Sequence, residues 1–164
     1  MTTANKGRET TYTTPSDLEV LGTRVVDAPR ELVWEAWTSP EHLPHWLLGP
    51  EGWTMPLCEI DLRPGGAWHF LWRRSDGTEM EMRGEYREVD PPERLVHTES
   101  WGGDWPETLI TLILSEEDGK TLMSQTIHYP SKEARDAALA TGMTKGASIS
   151  FERLDEHLRT MVGA

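Results

Sequence analysis

The sequence predicts an α+β fold in which an antiparallel sheet is covered by one long C-terminal helix. Between Gly142 and Met161, apolar side chains recur every three or four positions, the spacing of a helix with one buried face. These side chains are Met143, Ala147, Phe151, Leu154, Leu158 and Met161. Most of the chain between Trp53 and Tyr129 has the pattern of β-strands, and no second long helix pattern is present to pair with the first. A single long helix must therefore bury its apolar face against a sheet.

Length and charge limit the classes of protein that the sequence can encode. The chain has 164 residues, which suits one domain, and a formal net charge of −12, which would repel a nucleic-acid backbone or an anionic membrane surface. Cys58 is the single cysteine, and neither an apolar run of about 18 residues nor a signal-peptide core is present. We expect a cytoplasmic domain over residues 16–164, preceded by a polar, flexible tail over residues 1–15, with no nucleic-acid partner, membrane span, metal or cofactor.

The N-terminal half is predicted to contain one strand, two short helices and a second strand. Leu18 to Val26 reads as the first strand, and Asp27-Ala28-Pro29 is typical of a helix start because proline is tolerated in the first turn. Ser39-Pro40-Glu41 repeats this start signal for a second short helix. Met55 to Leu62 reads as the next strand, and Arg63-Pro64-Gly65-Gly66 ends it.

The faces of the following hairpin predict its register. Trp68, Phe70 and Trp72 alternate with polar residues, and Ser75-Asp76-Gly77 then turns the chain. A three-residue loop with Gly77 in the left-handed conformation keeps one face of the hairpin apolar, whereas a two-residue loop would not. This register pairs Trp72 with Met80, Phe70 with Met82, Trp68 with Gly84, Arg73 with Glu79 and His69 with Arg83. It places His69 on the solvated face.

Three further strands and a short helix complete the prediction. The strands are expected at Arg94 to Trp101, Leu109 to Leu114 and Thr121 to Tyr129, which makes about seven strands in all. Ser131 is expected to cap a short helix that runs through Leu139, just before the long final helix.

Several separated motifs resemble one known family. They are Asp27-Ala28-Pro29 with Val33-Trp34, Trp46 with Gly49-Pro50-Glu51-Gly52-Trp53-Thr54, Asp61-Leu62-Arg63-Pro64-Gly65-Gly66, Asp76-Gly77, Gly84-Glu85-Tyr86, Pro91-Pro92-Glu93-Arg94-Leu95-Val96 and Phe151-Glu152-Arg153-Leu154. Over residues 18–161 they resemble the family named for the activator of heat-shock-protein-90 ATPase, within the START-like, or SRPBCC, superfamily. The resemblance implies a helix-grip fold, in which a curved antiparallel sheet wraps around the long helix and encloses a deep apolar cavity.

The chain departs from that family pattern at two places. Many members carry two tryptophans at the start of the last helix, where this chain has Met143 and Ala147, and we expect the missing indoles to leave space against the sheet unless Trp68, Trp72 or Trp101 fills it. Many members also carry Phe where this chain has His97.

The candidate cavity wall combines aromatic residues, methionines and two polar residues. Each apolar member could instead be ordinary core packing, and both interpretations stay open at this point. The candidates are Trp68, Phe70, Trp72, Met80, Met82, Tyr86, His97, Glu99, Trp101, Met143, Ala147 and Phe151.

His97 and Glu99 are the candidates for acid–base chemistry or for fixing a ligand's polar end. They lie two positions apart on one predicted strand and therefore point to the same face. A four-residue turn at Asp90 to Glu93 would place His97 opposite Tyr86 on the apolar face, whereas an odd turn length would leave the pair at the rim or in solvent. A buried histidine beside a carboxylate is expected to hold its proton and to be the group that titrates near neutral pH.

The remaining candidate chemistry gives weaker signals. His42, His45, His69, His128 and His157 show no metal-ligand spacing, and Cys58 lacks a nucleophile signature and is expected to be a small core residue.

Three functions stay open. The first is binding of a small apolar or aromatic molecule, and the second is an enzyme of cyclase or hydrolase type that uses the same cavity. The third, regulation of a heat-shock-protein-90 chaperone, ranks last because only the family name suggests it. A homodimer is also left open.

Overall fold

The computed structural model describes residues 9–162, which form one eight-stranded antiparallel sheet and four helices. The strands are β1 (Thr11–Thr13), β2 (Glu19–Val26), β3 (Trp53–Ile60), β4 (Ala67–Arg74), β5 (Glu79–Asp90), β6 (Arg94–Glu99), β7 (Thr108–Glu117) and β8 (Lys120–His128). Their order across the curved sheet is β1-β2-β8-β7-β6-β5-β4-β3. The predicted α+β class, with a helix-grip architecture, is confirmed, although the sheet has eight strands where about seven were expected.

The helices follow the predicted order. They are α1 (Arg30–Thr38), α2 (Leu43–Trp46), α3 (Lys132–Ala140) and α4 (Met143–Val162). Ser131 caps α3 as predicted, because its Oγ accepts a hydrogen bond of 3.1 Å from the Ala134 backbone amide. On α4, the side chains of Phe151, Leu154 and Leu158 are almost completely buried in the main core, which agrees with the predicted inner face of this helix.

Strand β1 departs from the expected flexible tail. Thr11–Thr13 pairs with β2, and the Tyr12 ring packs over the backbone of Gly22, where a Cβ atom would lie 2.8 Å from the ring. Thr10 also accepts a hydrogen bond of 3.0 Å from the Arg24 guanidinium. Pairing with an edge strand and contact with a glycine surface therefore order residues that lack an apolar pattern of their own. Residues 1–8 of the expected tail lie outside the described part of the chain.

The hairpin of β4 and β5 has the predicted register. Trp72 pairs with Met80, Phe70 with Met82 and Trp68 with Gly84, while Gly77 adopts a left-handed φ of 94°. The apolar residues of β4 consequently share the face that looks toward α4. On the opposite face, His69 lies 2.8 Å from the Glu81 carboxylate.

The connection between β5 and β6 differs from the prediction, although its outcome for His97 is the same. Asp90 pairs with Arg94, so the turn contains three residues and not four. A β-bulge between Tyr86 and Glu88 adds one residue to β5 and shifts the register back, so that Tyr86 does lie opposite His97. Two local deviations thus compensate for each other, and His97 lies on the inner face.

The α4 helix is also tied to the sheet by an ion pair. The Arg24 guanidinium on β2 donates a hydrogen bond to the Asp155 carboxylate on α4, and the two side chains are only 4% and 14% exposed.

No helix within residues 9–162 is both long enough and apolar enough to cross a membrane.

Candidate functional site

A large cavity lies between the inner face of the sheet and α4. Its volume is about 1170 Å³, and its wall draws on β4, β5, β6, β8, the loop after α2, the loop after β6 and the first turns of α4. Ligand sites in proteins commonly occupy about 300–1,000 Å³, so the space would admit a small organic molecule. Most of the wall is aromatic or aliphatic.

All twelve residues proposed from the sequence lie on this wall, and their role in binding stays a prediction. Trp68, Phe70 and Trp72 form a continuous aromatic row along β4, with ring centroids 4.7 Å and 5.8 Å apart. Met80 and Trp101 are each 41% exposed, and they therefore border the opening more than the interior.

The start of α4 borders the cavity. Met143 and Ala147 both line the cavity and are only partly buried. A Cβ atom added at Gly146 would have no neighbour within 4 Å, which shows the space along this turn of the helix.

Sequence reasoning missed part of the wall. The omitted residues are Trp37, Leu43, Leu47, Leu48, Gly49, Pro50, Trp53, Glu79, Glu81, Leu95, Trp105, Pro106, Thr108, Gln125, Ile127, Tyr129, Ala134, Ala138, Thr141, Gly142, Lys145, Ile149 and Ser150, together with Gly146. Gln125 and Ile127 alternate along β8, so the period-two pattern could have identified them. Trp105 belongs to an irregular loop, and no sequence pattern places it there.

His97 contradicts the expected protonation. Its ring is 9% exposed and packs edge-on against Trp68, with centroids 5.4 Å apart. Burial lowers its pKa to about 4, and a contact between Nδ1 and the Thr98 carbonyl oxygen, 3.2 Å long, opposes this shift only weakly. The ring is therefore neutral at neutral pH, because desolvation outweighs any attraction to Glu99.

Glu99 is the group that titrates near neutral pH. Burial raises the pKa of its carboxyl group to about 7, and a hydrogen bond of 3.1 Å donated by the Trp101 indole opposes the rise. Trp101 in turn stacks on Trp72, with centroids 5.6 Å apart and an angle of 20° between the planes. The Trp72 indole donates a hydrogen bond of 2.7 Å to the Leu47 carbonyl oxygen, which anchors this stack to the loop after α2.

Two tyrosines and the cysteine of this region stay neutral at neutral pH. Burial, followed by the charge of Glu99, raises the pKa of Tyr129 to about 12, and its hydroxyl donates to the Met143 sulfur at 3.2 Å. Burial raises the pKa of Tyr86 and brings that of the Cys58 thiol to about 11. Cys58 is accordingly an unreactive thiol packed against the core, as the sequence suggested.

The histidines include one cluster that spacing alone did not reveal. His42, just before α2, and His45, within α2, both contact His157 on α4. The closest ring nitrogens of His42 and His157 are 2.8 Å apart, and the rings of His45 and His157 stack in parallel. Burial and then the two neighbouring rings lower the pKa of His157. Across residues 9–162, no three His, Cys, Asp or Glu side chains are arranged to hold a metal ion.

An antiparallel sheet that wraps around a long C-terminal helix and encloses an apolar cavity defines the START-like, or SRPBCC, class of proteins. Residues 27–159 match the family model described as Activator of Hsp90 ATPase homolog 1-like protein, and the chain belongs to that family. None of the curated proteins compared with the chain matches it.

Solved structures agree with this assignment. A protein from Rhodobacter sphaeroides is 32% identical, with a TM-score of 0.88 over 93% of this chain and 99% of that one. A protein from Nitrosomonas europaea is 23% identical, with a TM-score of 0.82 over 92% of this chain and 100% of its own. A protein from Mycobacterium smegmatis is 24% identical, with a TM-score of 0.77 over 89% and 96% of the two chains. The last two similarities concern the fold alone.

Proposed function

We propose that this protein binds a small apolar or aromatic molecule in the cavity between its sheet and α4. The observation that carries the proposal is the cavity itself, which has a volume of about 1170 Å³ and a mainly apolar wall. Well-packed protein interiors contain few voids larger than a water molecule, so a cavity of this size is typical of a ligand site and not of ordinary core packing. The aromatic row on β4 offers flat surfaces on which such a molecule can stack.

The direct test is native mass spectrometry of freshly purified protein, which would reveal a co-purifying molecule by its mass. The second test is titration with the uncharged fluorescent dye Nile red. In Ala147→Trp the new indole should fill the open region beside α4 and abolish dye uptake while the protein stays folded. Glu156→Trp is the matched control, because Glu156 is exposed on the same helix. Unchanged dye affinity in a folded Ala147→Trp variant would contradict the proposed location.

An enzyme that uses the same cavity is the second candidate. It is favoured by Glu99, whose half-buried carboxyl has a pKa of about 7 and could therefore donate and accept a proton near neutral pH. His97 is a weaker candidate, because its lowered pKa makes it a poor base. If a molecule that co-purifies is also converted to a product, Glu99→Gln should abolish turnover, while the affinity for the uncharged dye Nile red stays unchanged. Binding without turnover would support the first proposal.

Regulation of a heat-shock-protein-90 chaperone ranks last, because only the family description suggests it. A pull-down with a purified heat-shock-protein-90 homologue tests it.

A further inference from the structure

The carboxyl group of Glu99 is set into the cavity wall without a basic partner. Within residues 9–162, Glu99 forms no ion pair, and its one side-chain hydrogen bond comes from the Trp101 indole. A half-buried carboxylate that lacks a counter-charge is costly, so it either holds a proton or attracts a cation.

The other carboxylates on the wall already have partners. Glu79 accepts two hydrogen bonds from Arg73, at 2.9 Å and 2.7 Å. Glu81 lies 2.8 Å from His69 and 3.1 Å from the Arg83 guanidinium. Glu99 is therefore the wall carboxylate that remains available to a ligand.

The aromatic surfaces beside Glu99 are also suited to a cation. Trp101 stacks on Trp72, both indoles line the cavity, and Trp105 adds a third, half-exposed ring in the same loop region. An ammonium group gains favourable electrostatic energy over the face of an indole, and the gain is larger where water is excluded. The net charge of −12 further raises the local concentration of cations.

The groups that could favour an acidic ligand instead are few. His97 is neutral at neutral pH, and Tyr129 carries no positive charge in any state. Among the described wall residues, Lys145 is the one Lys or Arg, and it is exposed at the start of α4.

From this geometry we propose that the cavity selects an apolar or aromatic molecule that carries an ammonium group, with the ammonium group bound by the second carboxylate oxygen of Glu99, beside the Trp72–Trp101 stack. The inference rests on the proposed binding function and specifies its ligand class. It distinguishes this cavity from one that selects an acidic ligand, which would need a positively charged side chain at the position of Glu99.

Three probes with one naphthalene body test the inference: 2-naphthylmethylamine, 2-naphthylmethanol and 2-naphthylacetic acid. Isothermal titration calorimetry at about pH 8, where Glu99 is ionised, should show the amine binding roughly tenfold more tightly than the alcohol, and the acid binding most weakly. In Glu99→Gln the amine should lose this advantage, while the affinity for the alcohol stays unchanged. Glu156→Gln, which removes an exposed carboxylate outside the cavity wall, is the control and should leave the affinities for the three probes unchanged.

The wild-type protein supplies a second measurement that needs no variant. Between about pH 8 and about pH 5.5, Glu99 takes up its proton and the advantage of the amine over the alcohol should disappear. Tightest binding of the alcohol or of the acid, or an amine advantage that Glu99→Gln leaves intact, would overturn the inference and leave the binding function standing. If none of the three probes binds while Nile red does, the inference fails and the binding function stands, and if Nile red also fails to bind, both fail.

Discussion

The pKa shifts of His97 and Glu99 have opposite directions, so we predict that the two residues have opposite effects on how stability depends on pH and that these effects cancel in the wild type. The pKa of His97 falls from 6.5 to about 4 in the folded state, and that of Glu99 rises from 4.5 to about 7. Between about pH 4 and 6.5 the unfolded chain binds more protons at His97, so this residue makes stability rise with pH. Between about pH 4.5 and 7 the folded chain binds more protons at Glu99, so this residue makes stability fall with pH.

The magnitude follows from the size of the two shifts. Each pKa unit corresponds to about 1.4 kcal/mol, so each residue contributes a change of up to about 3 kcal/mol across its own pH range. The two ranges overlap almost completely. Together, His97 and Glu99 should therefore add little pH dependence to the free energy of unfolding of the wild type. In each single variant, the residue that remains should make this free energy depend on pH.

The assay is urea unfolding of four proteins, the wild type, His97→Phe, Glu99→Gln and the double variant, at several values between about pH 4.5 and 7.5. Relative to the wild type, His97→Phe should lose stability as pH rises and Glu99→Gln should gain it, each by up to about 3 kcal/mol. The double variant should follow the wild type, because all other titrating groups are common to the four proteins. Parallel pH profiles for all four proteins would refute the assigned burial and protonation of both residues.

Three further predictions concern core packing and the buried ion pair. Leu154→Ala should lower the free energy of unfolding by about 2–5 kcal/mol, because the side chain is fully buried under the sheet; a loss below about 0.5 kcal/mol in chemical denaturation would contradict this position. Asp155→Ala should lower the free energy of unfolding by about 3–5 kcal/mol, because it leaves the buried charge of Arg24 without a partner. The double variant Arg24→Met with Asp155→Leu, which removes both charges, should recover most of that stability. Equal melting curves for the single and the double variant would contradict the role of the ion pair. Gly84→Ala should lower the free energy of unfolding by more than about 2 kcal/mol, because the added Cβ would collide with the Thr98 carbonyl oxygen and the Trp68 indole. Gly146→Ala, where the added Cβ meets no neighbour, should instead stabilise the protein by about 0.4–1 kcal/mol. Thermal unfolding of both variants checks the pair, and the reverse order of stability would refute the packing at both positions.

Much of the fold could be predicted because the relevant signals are local. The three- and four-residue spacing on α4 identified the buried face that holds Leu154, and Gly77 together with the alternation on β4 fixed the register of that hairpin. The short strand β1 could not be predicted, since Tyr12 is ordered by contact with Gly22 on a neighbouring strand and not by a pattern of its own.

The candidate site was predicted unevenly. Period-two alternation placed Trp68, Phe70 and Trp72 on one face, and all three line the cavity. The turn before β6 has three residues where four were expected, and only the bulge on β5 brings His97 to the inner face. A bulge of this kind depends on the pairing of two strands, so a single strand read by itself does not reveal it.

The sequence by itself determined the class of fold, the inner face of α4 and the apolar character of the cavity wall, because these follow from the order and spacing of apolar side chains. The tertiary structure decided which polar group in that cavity can carry charge. The pKa of His97 and that of Glu99 depend on how much water the surrounding side chains exclude, and those side chains come from strands and loops far apart in the chain. For that reason the sequence favoured a protonated histidine, whereas the folded protein holds a neutral one beside a carboxyl group that titrates near neutral pH.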